Sequence, residues 1–208
     1  MKVFVFGAGE AIGEHVLKKL ARTGYEAVTI TGTENRAEEL ERMGASRVMV
    51  TRDYDFVEAI DGCDAIIYLA EASVMSGENQ NILVDHKAII GTVEKAQELG
   101  VNRIVYLSAV MADESDESKE TGAKHEPEEL IRQEGVIYTI IRTTHTESKP
   151  GKNKVKAARQ ISRPGGTLAN EDVAAVLVEA LETEEVYRKT IEITAGDTPI
   201  PEALASFG

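Results

Sequence analysis

The sequence predicts an α/β fold whose sheet is mostly parallel and covered by helices on both faces. Three observations lead there. Short apolar runs without alternation, such as Lys2–Phe6 and Ala65–Leu69, read as strands buried on both sides. Segments with apolar residues three and four apart follow those runs, the spacing of helices that bury one face. Strand and helix signals also alternate along the whole chain, as crossover connections require.

Lys2–Phe6 is the first strand, and Gly7 stops it. Ile12, Val16 and Leu20 then fall four apart on a helix that Gly24 terminates. Ala27–Thr31 reads as a strand, Arg36–Met43 as a helix closed by Gly44, and Arg47–Val50 as a third strand. Phe56–Ile60 predicts a short helix before the strand Ala65–Leu69. The longest helix covers Asn81–Leu99 and ends at Gly100. Arg103–Leu107 is the fifth strand, and Val136–Arg142 the sixth. Helices over Glu126–Glu134 and Asn170–Leu181 flank that sixth strand, the second with Asn170 as its cap and Glu171 and Asp172 in its first turn. Thr190–Thr194 is the last strand, followed by a short tail.

The length, 208 residues, suits a single domain spanning 1–208. Cys63 is the only cysteine, which excludes a disulfide scaffold and suits a reducing compartment. No apolar run reaches the roughly 18–20 residues that cross a bilayer, and the N-terminus enters strand-like sequence at once. A soluble cytoplasmic protein with no membrane partner is expected. The net charge of −13 argues against nucleic acid, whose binding relies on Lys and Arg at the phosphates. No spacing of His, Cys and acids predicts a metal site.

The stretch Gly7-Ala8-Gly9-Glu10-Ala11-Ile12-Gly13, between first strand and first helix, carries the most chemistry. A helix N-terminus offers unpaired N–H groups and the positive end of its dipole to a phosphate. Gly7 can make the tight turn, Gly9 the close approach to a pyrophosphate, and Gly13 the close packing of helix on sheet. The spacing G-x-G-x-x-x-G is one residue longer than the commonest dinucleotide fingerprint. At the end of the second strand, an acid would read a free ribose 2′-OH and an Arg a 2′-phosphate. The residues there are Thr31-Gly32-Thr33-Glu34-Asn35-Arg36, and Thr33, Asn35 and Arg36 could cradle a phosphate. NADP is therefore the expected cofactor, with NAD the alternative.

The chain resembles the atypical short-chain dehydrogenase/reductases, in particular the small NAD(P)-binding group of NmrA-like and flavin/biliverdin reductase-like proteins. The resemblance rests on Met1–Ala8, Gly62–Ile67, Val101–Ala109, Tyr138–Arg142, Asn170–Ala174 and Thr194–Ile200, in that order along essentially the whole chain. It implies a doubly wound Rossmann sheet and an NAD(P)-dependent oxidoreductase acting on a small molecule. By position, Gly7–Gly13 would hold the pyrophosphate, Thr31–Thr33 the adenosine ribose, and Thr51-Arg52 the adenine. Ala70-Glu71-Ala72 would line the cofactor cleft. Ser108 and Ala109 would stand near the nicotinamide, and Arg142-Thr143-Thr144 at its far edge. Lys124 falls on the family's active-site lysine, so Ser108 and Lys124 are the expected catalytic pair.

The departures are specific. Gly9 and Glu10 replace the Thr and Gly of the family's G-A-T-G-x-x-G turn, and Gly32 replaces its common Arg. The Y-x-x-x-K pair has lost its tyrosine: Glu120 stands four residues before Lys124, and Thr121 three. His125 and His145 are the nearby groups that titrate near neutrality. A non-catalytic dinucleotide sensor is the alternative this loss suggests. Residues 145–168 form a basic segment expected as a short flap. It carries Lys149, Lys152, Lys154, Lys156, Arg159 and Arg163 with no acid between Glu147 and Glu171, a local field that could attract an anionic substrate.

Overall fold

A computed structural model of the chain describes residues 1–9, 11–51, 57–69, 89, 91–109, 127–163 and 165–208. The strands are β1 (Lys2–Phe6), β2 (Glu26–Thr31), β3 (Arg47–Val50), β4 (Ala65–Leu69), β5 (Arg103–Ala109) and β6 (Ile137–Thr143). They continue with β7 (Thr146–Glu147), β8 (Lys154–Ala158), β9 (Leu168–Ala169), β10 (Lys189–Ala195) and β11 (Thr198–Pro199). The helices are α1 (Ala11–Thr23), α2 (Glu34–Arg42), α3 (Val57–Ile60), α4 (91–98), α5 (127–133), α6 (Asn170–Glu179) and α7 (Ile200–Ala205).

The main sheet runs β11-β8-β10-β6-β5-β4-β1-β2-β3. From β3 through β10 every pairing is parallel, and β8 joins β10 antiparallel at the far side. This is the mostly parallel Rossmann arrangement expected. The chain winds outward from β1 to β3 and then returns to β4 on the other side of β1. Ligands of such sheets bind at that reversal, beyond the carboxyl ends of β1 and β4.

Alternation along the strands separates two cores. Val3 and Val5 face a layer made by α1, α6 and α7, while Phe4 faces α3, α4 and α5. The two layers leave the central strands buried on both faces, which is why these strands carry no polar alternation. Arg103 is a buried charge against the first layer. Its guanidinium donates to the carbonyls of Ala180 and Leu181 just past α6, to Ile137, and to Thr139 Oγ at 2.7 Å, and it lies over the Tyr187 ring. Those are the orphan carbonyls of a helix end, satisfied here by one side chain. Burial pushes the Arg103 guanidinium down to about 10. Cys63 is also buried; its Sγ–H donates to the Ala59 carbonyl, and burial pushes the thiol up to about 11, so it is an inert packing group.

Three features differ from the sequence reading. Ala169, not Asn170, occupies the cap position of α6. Asn170 is the first helical residue and buried, and its Oδ1 has no partner among the described residues. The acids of that first turn instead receive backbone N–H groups from the preceding segment: Glu171 from Gly151, and Asp172 from Lys152 and Asn153. The basic segment is built into the sheet, since residues 154–158 form β8 with Val155 buried beneath exposed Lys154 and Lys156. Lysines on the exposed side of a strand near a sheet edge discourage edge-to-edge association. The tail folds as α7, which buries Ile200, Ala203 and Leu204 against the first core.

Candidate functional site

Because β1 to β6 and β10 run in one direction, their last residues share one edge of the sheet. Phe6, Thr31, Leu69, Ala109, Thr143 and Ala195 all end strands there. Among the expected site residues, the structure gathers Gly7, Gly9, Ala11, Ile12, Gly13, Thr31, Gly32, Thr33, Arg36, Thr51, Ser108 and Thr143 at this edge. Glu10, Arg52, Ala70, Glu71, Ala72 and Lys124 lie outside the described residues, as does His125. His145 is exposed beyond β6.

The glycine turn forms a cradle. Gly7 has φ +82°, a left-handed conformation that favours glycine, and a Cβ there would lie 2.8 Å from the Leu69 carbonyl oxygen. A Cβ on Gly13 would fall 2.5 Å from both Ala8 Cα and the Gly7 oxygen, so α1 can approach the turn only without a side chain. Gly9 is different. It is exposed, and among the described residues a Cβ there would meet nothing closer than the Arg36 side chain at 3.7 Å. An exposed glycine just before a helix N-terminus, bare of side chain, fits a pyrophosphate in shape and charge.

Arg36 closes one side of this cradle. Thr33 caps α2 by accepting from the Arg36 N–H, which puts Arg36 in the first turn and aims it back at β1. Its Nη2 donates to the Gly9 carbonyl at 2.6 Å and to Glu14 Oε1 at 2.9 Å, and its Nη1 to Glu39 Oε2 at 2.6 Å. Its hydrogen bonds to Glu39 and then Glu14 hold the guanidinium firmly charged.

At the other side of the edge lies a cluster of which the sequence had singled out Ser108 and Arg142 but not Glu128 and Glu192. Register pairs Ser108 with Arg142 and Arg142 with Glu192, which places three polar side chains in a row on one face. Glu128, on α5, caps the row with a side chain only 1% exposed. Arg142 reaches it from Nε at 3.0 Å and Nη2 at 2.6 Å, and Arg132, one turn along α5, from Nη2 at 2.8 Å. The Ser108 hydroxyl also helps to hold this carboxyl down. Burial by itself would raise the Glu128 carboxyl. The hydrogen bonds from Arg142 and Ser108 and the two guanidinium charges outweigh it, so the group sits below its ordinary value. Glu192 in turn accepts from the Ile161 N–H at 2.6 Å and stands 3.9 Å from Arg142. For Glu128, the sequence signal was its i,i+4 spacing from Arg132 on a predicted helix.

One step inward on the same face, Phe6, Tyr68 and Tyr106 form an aromatic row across β1, β4 and β5, with Phe6 and Tyr68 stacked at 4.4 Å. Among the described residues, no group of His, Cys, Asp and Glu could hold a metal ion, and no helix is long and apolar enough to cross a membrane.

The chain is similar to known proteins over nearly its full length. It is 30% identical over 213 residues to a Bacillus subtilis protein named uncharacterized sugar epimerase YhfK, covering 98% of this chain and 99% of that one. A solved Bacillus halodurans structure, provisionally assigned as an NAD-dependent epimerase/dehydratase, is 25% identical with a TM-score of 0.90 and 99% of each chain covered. A Veillonella parvula short-chain dehydrogenase/reductase solved in complex with NADP shares the fold, with a TM-score of 0.69 at 13% identity over 95% of each chain. The family model described as NAD(P)H-binding matches residues 7–184, and the chain belongs to that family of NAD(P)-binding Rossmann proteins.

Proposed function

We propose that this protein is an NADP(H)-dependent oxidoreductase of a small molecule, with its reaction at the carboxyl edge of the sheet between Ser108 and Thr143. The observation that carries NADP over NAD is the placement of Arg36 beside Gly9. A guanidinium has five N–H donors. Contacts to Gly9, Glu14 and Glu39 engage three of them, which leaves the Nε–H and one Nη1–H for a 2′-phosphate. The glutamates thus orient the fork as well as neutralise it.

When bound, the cofactor supplies the hydride chemistry. The residues of this chain bind and orient. With the Glu128 carboxylate beside it, the Ser108 hydroxyl turns its hydrogen to that side and its lone pairs toward a ligand. It therefore receives a hydrogen bond from an amide or hydroxyl and does not protonate the product. Glu120 stands where the family's tyrosine would be, and an ordered water is the proton source that fits this site. Lys124 is assigned to the nicotinamide ribose on the strength of the resemblance.

Calorimetric titration with NADP, NADPH, NAD and NADH tests the reading, followed by NADPH oxidation with quinones, flavins and aldehydes. The Bacillus relatives carry epimerase names, so simple sugars belong in the same screen. Tightest binding of NADP(H) is expected, and binding of no dinucleotide would overturn the proposal. Arg36→Ala should weaken NADP roughly tenfold to a hundredfold, the worth of a charge-assisted contact, and leave NAD unchanged. Equal loss for both would remove Arg36 from the 2′-phosphate. Ser108→Ala should slow turnover by roughly tenfold while NADP binding persists. The missing tyrosine favours one second reading, a dinucleotide-binding sensor, which would bind NADP(H) and turn over none of these compounds.

A further inference from the structure

Arg36 lies between two carboxylates, Glu14 on α1 and Glu39 on α2, and they engage different corners of its fork. Glu39 accepts from Nη1 at 2.6 Å. Nη2 donates to Glu14 at 2.9 Å and to the Gly9 carbonyl at 2.6 Å. With one guanidinium and two carboxylates, the pocket as it stands is not cationic.

A guanidinium grips an oxyanion through an edge that carries two parallel N–H groups, Nε with Nη2 or Nη1 with Nη2. Arg142 uses the first of these edges on Glu128. Nη2 belongs to both edges, and in Arg36 both of its hydrogens are taken. The Nε–H and the remaining Nη1–H are separate single donors. A phosphate that takes an edge of Arg36 must therefore displace an acceptor from Nη2. The two acceptors differ in freedom. The Gly9 carbonyl belongs to the turn that the backbone of Gly7 and the close contact at Gly13 hold in place. The Glu14 side chain is flexible and 28% exposed. It also sits in the first turn of α1, where the helix N-terminus favours an acid without help from Arg36. Glu14 is the acceptor that yields.

We propose that Glu14 is a specificity-determining residue of the cofactor site: it competes with the 2′-phosphate for Nη2 of Arg36 and so narrows the preference for NADP over NAD. The inference rests on the reading of Arg36 as the 2′-phosphate contact. NAD brings a hydroxyl in place of that phosphate and leaves the Glu14–Arg36 pair intact. NADP must break the pair and then hold its phosphate near the released carboxylate, so the penalty falls on NADP alone. Glu39 acts differently. Nη1 is no part of the Nε–Nη2 edge, and the Glu39 side chain is 47% exposed, so it steadies the guanidinium while solvent screens its charge.

The test is calorimetric titration of the full chain with NADP and NAD at fixed ionic strength, for wild type, Glu14→Gln, Glu14→Asp and Glu39→Gln. The ratio of NADP to NAD affinity should rise roughly threefold to tenfold in Glu14→Gln, from the lost ion pair and the lost repulsion together. The ratio is the diagnostic because an acid at this helix N-terminus also repels the pyrophosphate of either dinucleotide. Glu14→Asp keeps the charge but shortens the reach to Arg36, so it should raise the ratio as well. Glu39→Gln should raise it by less than roughly twofold. An unchanged or lower ratio in Glu14→Gln would overturn the proposal, as would an equal rise in Glu39→Gln. A rise in Glu14→Gln without one in Glu14→Asp would reduce Glu14 to a repelling charge and overturn it too. Urea midpoints check that each variant is folded. Arg36→Ala separates this inference from the reading beneath it: a wild-type ratio there removes Arg36 from the phosphate, whereas a lowered ratio beside unresponsive Glu14 variants removes only Glu14. Adenosine 2′,5′-bisphosphate against adenosine 5′-monophosphate repeats the comparison without the nicotinamide. A chain that shows the Glu14 effect with these two and turns over no substrate loses the oxidoreductase reading and keeps the role of Glu14.

Discussion

Glu128→Ala should destabilise the fold by about 3–5 kcal/mol, the usual consequence of removing one partner of a buried ion pair. The loss comes less from the missing attraction than from what stays behind. Among the described residues Arg142 would keep only Glu192, at 3.9 Å, and Arg132 would lose the partner one turn away while keeping Glu129 and Thr190. Glu128→Gln keeps the volume and one acceptor, so it should cost less, about 1.5–3 kcal/mol for hydrogen bonds to charged groups. Urea unfolding reads both values as shifts in midpoint at constant slope. The pH dependence has a definite sign. Arg142, Ser108 and Arg132 hold the folded Glu128 carboxyl below its unfolded value despite burial. Its contribution is therefore complete above the ordinary glutamate value of about 4.3 and is lost as pH falls through the lower folded value. Wild type should lose stability more steeply than Glu128→Gln below about pH 4, and parallel acid limbs would contradict the assignment.

The frame of this protein was written in local signals. Each buried strand had to be apolar on both faces, and each crossover helix had to show one apolar stripe, so periodicity located β1 to β6 and α1 with few errors. The glycine turn was equally legible, because only glycine tolerates Gly7's backbone and the contact at Gly13. What escaped was short or depended on register. β8 is five residues of alternating Lys, Val and Ala, and six cations within fifteen residues masked its period of two. α7 has only six residues, too few to show a stripe. Asn170 looked like a cap because its residue type favours that position, yet the chain enters α6 from β9 with Ala169 there instead. The Ser108–Glu128–Arg142–Glu192 row needed three strands in register and a helix above them. No linear spacing encodes that. The cluster also contains the charges whose burial would have looked least acceptable in isolation, and their mutual pairing is what makes the burial affordable.

Gly9→Val and Gly13→Val should separate a glycine kept for a ligand from one kept for the fold. At Gly13 the first added carbon already overlaps Ala8 and Gly7, so α1 must move off the turn, at a cost of about 1–3 kcal/mol or more. At Gly9 the backbone has no positive φ, the residue is exposed, and the nearest neighbour of a Cβ is the movable Arg36 side chain at 3.7 Å. Nothing among the described residues therefore requires glycine there, and Gly9→Val should change stability by no more than about 0.5 kcal/mol. Its branched side chain would nevertheless stand where a pyrophosphate must approach the helix N-terminus. Affinity for NADP and NAD should fall together by more than roughly tenfold, a loss of about 1.4 kcal/mol. Arg36→Ala, in contrast, should affect NADP alone. Thermal unfolding with and without dinucleotide measures both quantities in one experiment, since a ligand that binds only the folded chain raises its midpoint. A Gly9→Val protein that melts like wild type and is still raised equally by NADP would remove the glycine turn from the cofactor site. Arg36 would then lose its phosphate as well, because its position matters only if the pyrophosphate lies beside it.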